Sequence, residues 1–330
     1  MSTGSSVPYR LRPNKSVDRE LFLALLARLA AQLRLEECQY IGLGGAFLED
    51  FRLVHARIGI KEMFCLESEE DVHMRQNFNK PIGCITCIHQ TIEDYIDTRD
   101  FEKPVILWLD YTEPSSVAGQ IERFARTVGV MPTGSILRVT LNANPSSLGD
   151  PDPAEVAPAI GNLSSDRATK PTIQEWRLER LRERLGRLFP NSLTAADMPR
   201  RKFGKSLLQA LHLAVENEML SHRDREVVWA LCTHYADGQP MVTATVVICE
   251  PGDTATVEIV EGWEFCSTPT NPHLLDMPTL STMERLTMES ADDPRVKLGF
   301  NLPKSDMGAD PFDAFCKFYR IYPHFSRVEM

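Results

Sequence analysis

The sequence predicts an α/β fold with a doubly wound, mainly parallel sheet. Short apolar runs alternate with helical segments, and several of these runs end in glycines or in a carboxylate. The clearest are Tyr40-Ile-Gly42-Leu-Gly44-Gly45, Met63-Phe-Cys-Leu-Glu67 and Ile106-Leu-Trp-Leu-Asp110. Because parallel strands end at one edge of a sheet, this pattern indicates a site there for a nucleoside-bearing cofactor.

The order of the elements follows from hydrophobic periodicity. An amphipathic helix over 16–34 precedes the first strand. Strands are predicted over 38–41, 62–66, 82–88, 105–109 and 135–141, with helices over 47–57, 68–78, 91–99 and 115–129.

A β-hairpin is predicted to finish the sheet. A helix over 205–221 leads into strands over 226–235 and 241–249, joined by Ala236-Asp237-Gly238-Gln239. Asp-Gly supplies the positive φ that a tight hairpin turn needs. The sheet should therefore have seven strands, the last of them antiparallel, which is not the arrangement of a standard dinucleotide dehydrogenase.

The remaining segments flank this core. The stretch over 144–171 is rich in Pro, Ser and Asp and predicts a loop or lid, followed by a charged helix over 173–189. Further helices are predicted over 281–288 and from Asp310. The predicted organisation is an N-terminal helical segment (1–36), a cofactor-binding core (37–143), a lid (144–204), the final helix and hairpin (205–250) and a C-terminal cap (251–330).

Composition indicates an ordinary soluble protein, with 43% hydrophobic and 25% charged residues in 330. Neither a signal peptide nor a membrane helix is evident, so we expect a cytoplasmic protein without membrane partners. The eight cysteines mostly lie in apolar runs and indicate reduced thiols. Cys84-Ile-Thr-Cys87 with His89 resembles half a metal site, but no second such motif follows, so no metal is predicted.

Charge is distributed unevenly. The net charge is −10, yet residues 170–205 hold ten Lys or Arg and four Asp or Glu, so this segment carries +6 and the rest −16. A solvated helix face explains the segment better than a dedicated binding surface. The alternatives are attraction of an acidic or phosphate-bearing acceptor and docking of a protein partner.

The glycine turn after the first strand is a candidate cofactor site. Gly42, Gly44 and Gly45 have no side chain to keep a ligand from the backbone, and a turn without a ligand is the less favoured alternative. The dinucleotide fingerprint would have glycine at Phe47, so the turn fits a hydride-transfer enzyme less well.

Residues at the ends of the next two strands would complete that site. Glu67 can accept both hydroxyls of a ribose, or it is an acid favoured by the start of the next helix. Gln90 or Thr91 can contact an adenine, although helix capping explains Thr91 equally well.

Several motifs together resemble class I S-adenosylmethionine (SAM)-dependent methyltransferases, and within them a bacterial family described only as O-methyltransferases. The motifs are Tyr9-Arg-Leu-Arg12-Pro13-Asn14-Lys15 with Asp18-Arg19, Tyr40-Ile-Gly42-Leu-Gly44-Gly45 with Asp50-Phe51, Glu67, Asn77-Phe-Asn79-Lys-Pro81 and Trp108-Leu-Asp110-Tyr111. The resemblance covers 9–142 well and extends through the hairpin. It implies a Rossmann-like methyltransferase sheet.

The resemblance also implies roles for these residues. SAM would be bound by Gly42, Gly44, Gly45 and Glu67, with Asp110 and Tyr111 at the mouth of the methyl-transfer site. Many methyltransferases carry an acid at the end of the first strand, where this chain has Gln39 and Tyr40. Contact with the methionine amine would then fall to Asp50, Asp110 or the backbone.

The methyl acceptor is less well defined. Asp110 is followed by Tyr-Thr-Glu-Pro instead of the Pro-Pro-Tyr/Phe of enzymes that methylate nucleic-acid amines, which slightly favours O-methylation. Lys15 or Asp110 can orient or deprotonate an acceptor. Anionic groups would suit Arg12, Arg201 and Lys202, although Arg12, Lys15 and Arg19 can equally pair with the acidic body.

Two other functions fit the sequence. One is a catalytically silent binding or regulatory subunit, which the missing strand-end acid favours. The other is an NAD- or nucleotide-binding enzyme, which Phe47 and the terminal hairpin disfavour.

Overall fold

The computed structural model describes residues 12–152, 170–304 and 307–321. The predictions for Tyr9, for the middle of the lid and for the ends of the chain lie outside these ranges.

The strands form one mixed sheet in the order β3-β2-β1-β4-β5-β7-β6-β8. Their bounds are β1 (Gln39–Gly42), β2 (Glu62–Glu67), β3 (Ile85–His89), β4 (Val105–Asp110), β5 (Ile136–Asn142), β6 (Glu226–Asp237), β7 (Gln239–Cys249) and β8 (His273–Leu275). Strand β7 is antiparallel to both of its neighbours, and the other pairings are parallel. The predicted doubly wound α/β fold with a terminal antiparallel hairpin is confirmed.

The helices cover both faces of the sheet. They are α1 (Pro13–Leu33), α2 (Glu49–Ile58), α3 (Glu70–Asn79), α4 (Ile92–Asp97), α5 (Val117–Val130), α6 (Ile173–Leu185), α7 (Arg200–Met219), α8 (Thr254–Glu261), α9 (Thr282–Glu289), α10 (Pro294–Leu298) and α11 (Pro311–Phe318). Most bounds differ from the predicted ones by a few residues. Helix α7 starts at Arg200, after Pro199, so the last residues assigned to the lid form its first turn.

The predicted count of seven strands is wrong, since an eighth strand is present in the described ranges. Strand β8 comes from the C-terminal cap and pairs in parallel with β6 through Thr233–Tyr235. Three residues are too few to show a two-residue hydrophobic period, so sequence periodicity could not reveal this strand.

The two faces of the sheet have separate cores. One core packs α1 and α2 on the sheet and includes Phe22, Tyr40 and Trp108. The other packs α5 and α7 on the opposite face and includes Leu107 and Phe124. Side chains along β4 alternate between these cores, as the two-residue period of a strand requires.

A buried ion pair fixes α1 on the sheet. Asp18 of α1 and Arg138 of β5 are fully buried, and their charged atoms are 2.5 Å apart. Arg138 also donates to Thr243 and Thr245 of β7, and Asp18 accepts from Thr233 of β6. One helix is thus joined to three strands near the centre of the molecule.

Within the described ranges, no helix combines the length and the apolar character needed to cross a membrane.

Candidate functional site

The candidate site lies beside β1, at the point in the sheet where the order of successive strands reverses. Strand β1 has β2 on one side and β4 on the other, and all three run parallel. Their connecting helices diverge from this point, which opens a crevice beyond the strand ends in folds of this type. Gly42 ends β1 and Asp110 ends β4 on the two sides of this crevice.

Four charged side chains form a polar cluster at this position. Arg19 and Asp50 are 2.8 Å apart, and Lys15 Nζ lies 3.5 Å from Asp110 Oδ2. The four side chains are each between 7% and 14% exposed, so they are shielded but reachable from outside. Asp110 Oδ1 is buried and has no hydrogen-bond partner among the described residues.

Burial and charge act in opposite directions on the two acids. Burial raises the pKa of Asp50 above its ordinary value, although the charge of Arg19 partly opposes this shift. Burial would also raise the pKa of Asp110, but Lys15 and Arg19 outweigh it and the pKa is lowered. Asp110 is therefore the acid whose ionised form the cluster favours.

Lys15 has a lowered pKa. Burial is the main cause, and the neighbouring charge of Asp110 opposes it. A lysine in this state gives up its proton more readily than a lysine in water, which is a property of general bases.

The hairpin turn holds the start of α1 in place. Asp237 accepts hydrogen bonds from the backbone amides of Asn14 (3.3 Å) and Lys15 (2.7 Å). Asn14 Nδ2 also donates to the carbonyl of Ala236 at 2.9 Å. Arg12, the residue that precedes the helix, makes no side-chain cap, so Asp237 supplies the cap from 222 residues away.

The basic residues predicted to bind substrate approach the same corner. Arg200 donates to the carbonyl of Gly238 at 2.8 Å, which places the start of α7 beside the hairpin turn. Arg201 and Lys202 follow in the first turn and are exposed. Arg12 is half-buried and directly precedes α1, whose first residues contact the same turn.

The C-terminal cap reaches this corner as well. The backbone amide of Met277 donates to Asn14 Oδ1 at 2.8 Å. Asp276 is buried and accepts from the amide of Ala309 at 3.0 Å. The cap therefore packs against the residues that position Lys15.

The glycines of the turn after β1 differ in what they permit. Gly45 has a φ of +51°, in the left-handed region. A Cβ on Gly44 would lie 2.8 Å from Cys65 Sγ, so this glycine is needed for packing inside the protein. A Cβ on Gly42 would have its nearest neighbour at 3.5 Å, an ordinary contact distance, so Gly42 is less tightly packed than Gly44.

Glu67, Gln90 and Thr91 lie at the ends of β2 and β3. One oxygen of Glu67 accepts from the amide of Glu69 at 3.0 Å, and the side chain is partly exposed. The backbone amide of Gln90 donates to the backbone carbonyl of Glu67. The two residues are therefore neighbours at the ends of β3 and β2. Thr91 caps α4 by accepting from Asp94 at 3.1 Å, which was its simpler interpretation.

The side chain of Tyr111 points to the opposite face of the sheet from that of Asp110. The alternation of β4 continues past the strand end, so Tyr111 packs in the opposite core, next to Glu93. It is 9% exposed, and burial raises the pKa of its hydroxyl far above the ordinary value. Among the described contacts, none links the Tyr111 ring to the polar cluster.

Several basic residues of helix α6 and of the turn after it have partners on the protein surface. Arg180 pairs with Glu183 and Arg182 with Glu179, Arg187 after the helix pairs with Glu122, and Arg184 donates to the carbonyl of Ser147. A solvated helix face therefore describes this segment well.

Sequence reasoning missed two contacts of this site, the pair of Arg19 with Asp50 and the contact of Asn14 with Asp237. Asp237 was identified only as a turn residue. Arg19 was expected to pair with an acid of the protein, but the acid was not identified. No spacing rule pairs residues 31 or 223 positions apart, so the structure was needed to find them.

The residues present fit a bound SAM molecule. An unpartnered carboxylate oxygen on Asp110 suits an ammonium or hydroxyl donor, and Glu67 suits a ribose diol. Gly42 carries no side chain to keep an amino-acid tail from the backbone at the end of β1.

Comparison with solved structures finds distant likenesses. Trm1 from Pyrococcus horikoshii in complex with SAM is 12% identical, with a TM-score of 0.48, over 78% of this chain and 59% of that one. An rRNA methylase from Streptococcus thermophilus is 9% identical, with a TM-score of 0.34, over 70% and 95%. The plantazolicin methyltransferase BamL is 10% identical, with a TM-score of 0.35, over 72% and 87%. This chain thus covers about three fifths of the Pyrococcus protein.

No protein of curated function matches the sequence. By contrast, the model of the family described as "Putative O-methyltransferase" matches residues 7–330, nearly the full length of the chain. The chain therefore belongs to this family of class I SAM-dependent methyltransferases.

Proposed function

We propose that this protein transfers the methyl group of SAM to a hydroxyl group of a small anionic acceptor. The observation that carries the proposal is the Lys15–Asp110 pair, which is shielded from water at the carboxyl end of β4, beside the glycine turn of β1. An O-methyltransferase must remove a proton from its acceptor, and Lys15 with its lowered pKa is suited to do so.

The cofactor side rests on the strand ends. Glu67 would accept the ribose hydroxyls, Gln90 would approach the adenine, and the turn over Gly42, Gly44 and Gly45 would follow the methionine tail. Asp50 is engaged by Arg19, so Asp110 is the better partner for the methionine amine. Thr91 acts through the cap of α4.

When bound, SAM supplies an electrophilic methyl group. Neutral Lys15 would accept the hydroxyl proton, and the Asp110 carboxylate beside it would stabilise the ammonium that forms. The rest of the task is alignment of the acceptor oxygen, which a shielded cleft between fixed helices can provide.

The anionic character of the acceptor is supported by the start of α7. Arg201 and Lys202 are exposed there, and Arg12 directly precedes α1, whose start contacts the same hairpin turn. Cationic side chains gathered around one turn attract carboxylates or phosphates. Tyr111 has no place in this scheme, because it lies in the other core.

The test is methyl transfer from SAM carrying a tritiated methyl group to a panel of hydroxy-carboxylic acids and phosphorylated alcohols. Each compound is paired with its analogue lacking the free hydroxyl. We expect transfer to at least one hydroxyl compound and none to its analogue, with a loss of about 100-fold or more in Lys15→Met. Lys205→Met, an exposed lysine of α7, is the control and should match wild type. Equal rates for Lys15→Met and wild type would refute the role of Lys15.

The second candidate is a binding or regulatory subunit of the same family fold. The absence of any Asp or Glu in β1 (Gln39–Gly42) favours it. It predicts SAM binding without methyl transfer to any compound of the panel. Binding of NAD in place of SAM would instead support a nucleotide enzyme.

A further inference from the structure

A pair of cysteines lies directly behind the glycine turn. Cys65 of β2 and Cys87 of β3 are register partners in adjacent parallel strands. Both side chains pack on the same core, the one that contains α1. Neighbouring strands are about 4.8 Å apart, which is within the Cα separation of about 4.4–6.8 Å that a disulfide spans.

The neighbouring Cys65 side chain is the main cause that lowers the pKa of Cys87 to about 7. Lys80 contributes to the same shift. Burial dominates at Cys65, whose pKa is raised. The half-buried Cys87 is therefore the nucleophilic member, and the buried Cys65 is its proton-bearing neighbour.

The neighbouring metal-like residues have other partners. Cys84 Sγ lies 3.5 Å from His55 Nδ1, and His89 contacts the carbonyl of Ser68 at 2.9 Å. Within the described ranges, no group of three or more His, Cys, Asp or Glu is arranged to hold a metal ion. The thiol pair is thus free of any metal assignment on these residues.

Cys65 is also tied to the cofactor turn. Its sulfur lies 2.8 Å from where a Cβ of Gly44 would stand, and the Phe51 ring lies 3.0 Å from the same point. Movement of this sulfur toward Cys87 would remove a packing contact from Gly44 and so loosen the turn.

We infer that Cys65 and Cys87 form a reversible oxidation site that responds to hydroperoxides and weakens SAM binding when it is oxidised. The Cys87 thiolate attacks one oxygen of the peroxide, and the O–O bond breaks. Hydroxide departs as the leaving group, and Cys87 becomes a sulfenic acid. The Cys65 thiol then attacks that sulfur, an S–S bond forms, and water leaves. Two thiols are oxidised and one peroxide is reduced. A dithiol such as dithiothreitol reverses the change.

The modification is mapped first. Reduced protein is treated with hydrogen peroxide, remaining thiols are alkylated, and tryptic peptides are analysed by mass spectrometry. Trypsin does not cut between Lys80 and Pro81, so Cys84 and Cys87 share the peptide 76–99, and Cys65 lies in 62–75. We expect these two peptides to be cross-linked in wild type and in Cys84→Ser, but not in Cys87→Ser.

The exposed Cys316 provides a matched control. Cys316→Ser should cross-link like wild type. Failure of wild type to cross-link, or loss of the cross-link in Cys84→Ser, would overturn the assignment.

The effect on the cofactor is measured by titration calorimetry with SAM. We expect the dissociation constant to rise at least about tenfold on oxidation and to recover with dithiothreitol, whereas Cys87→Ser should be unaffected by peroxide. Cross-linking without a change in affinity would refute the coupling to the turn. This coupling rests on the proposed cofactor site: if reduced protein does not bind SAM, the proposed function fails, whereas the peptide map still decides on the thiol pair.

Discussion

At the scale of single residues, Arg138 depends most on its partner. It is fully buried in β5, between the rings of Phe22 and Trp108, and its charge is compensated by Asp18. Removing one charge of a buried pair leaves the other uncompensated, which costs several kcal/mol.

We therefore expect Arg138→Met to lower the free energy of unfolding by about 3–5 kcal/mol, measured by urea denaturation. The double variant Asp18→Leu/Arg138→Met should lose less, because no charge is left buried. Arg57→Met, which breaks the more exposed pair with Glu20, is the control and should cost at most about 1 kcal/mol. A double variant as unstable as the sum of both single variants would show that the charges are not coupled.

His234 gives the stability a pH dependence. It is 3% exposed, and burial, assisted by Arg200, lowers its pKa to about 4 from the usual 6.5. Between these two values the unfolded chain binds a proton that the folded chain does not, so the stability falls as the pH falls from 6.5 to 4.

The expected contribution of His234 alone to the loss of unfolding free energy in that window is about 3 kcal/mol. It is measured by urea denaturation at several pH values. His234→Gln should show a shallower loss than wild type. His273, whose pKa is also lowered to about 4 by burial, titrates in the same window, so His273→Gln separates the two contributions. Parallel pH profiles for wild type and His234→Gln would contradict this account.

The sequence brought Lys15 and Asp110 forward as separate candidates, and their contact at 3.5 Å required the fold. The family resemblance placed Tyr111 with Asp110 at the mouth of the methyl-transfer site. The two-residue alternation of a strand sends adjacent residues to opposite faces, so this separation was readable from the pattern. The pairing of Asp50 with Arg19 was not, because it depends on how α2 packs against α1.

At the scale of elements, two glycines of the turn after β1 have different roles. Gly44 is needed for packing inside the protein, and Gly42 is a candidate for cofactor binding. A Cβ on Gly44 meets Cys65 and Phe51 inside the protein, whereas a Cβ on Gly42 has ordinary clearance from Trp108. Gly42 follows the alternation of Tyr40, so its Cβ would project on the face where the polar cluster lies.

Two alanine substitutions should therefore have different effects. Gly44→Ala should lower the free energy of unfolding by about 1–3 kcal/mol through overpacking. Gly42→Ala should change it by less than about 1 kcal/mol but weaken SAM binding, measured by calorimetry, because the cofactor approaches there. Wild-type SAM affinity in Gly42→Ala would show that the cofactor does not approach this residue.

The start of α1 is a second element on which the site depends. Asp237 caps it by binding the amides of Asn14 and Lys15. Asp253 makes a comparable cap for α8 through Thr256 at 3.0 Å, away from the site. Each substitution, Asp237→Ala or Asp253→Ala, should cost about 1 kcal/mol of stability in urea.

Only Asp237→Ala should loosen Lys15. We expect acetic anhydride to label the Lys15 amine several-fold faster in Asp237→Ala than in wild type, with the rates compared by mass spectrometry of the labelled peptides. Asp253→Ala should leave that rate unchanged. Equal labelling in all three proteins would mean that the cap does not position Lys15.

At the scale of the whole molecule, the alternation of strands and helices and the Asp-Gly turn were sufficient to predict the sheet and its antiparallel strand. The predicted turn is present, with Gly238 at a φ of +95°. Strand β8 was not predictable because it has only three residues. The packing of Met277 on Asn14 was not predictable because it joins residues 263 positions apart without a local signal. The cap thus belongs to the surroundings of the site.

The central claim is that SAM binds across the ends of β1, β2 and β4 with Glu67 on its ribose. Calorimetric titration of SAM into wild type, Glu67→Gln and Glu70→Gln tests it most directly, since Glu70 is an exposed acid three residues further along. Hydrogen bonds to a charged group are worth about 1.5–3 kcal/mol, so Glu67→Gln should weaken binding by about 10- to 100-fold. Glu70→Gln should bind like wild type. No binding to wild type, or equal affinity in Glu67→Gln, would contradict the account.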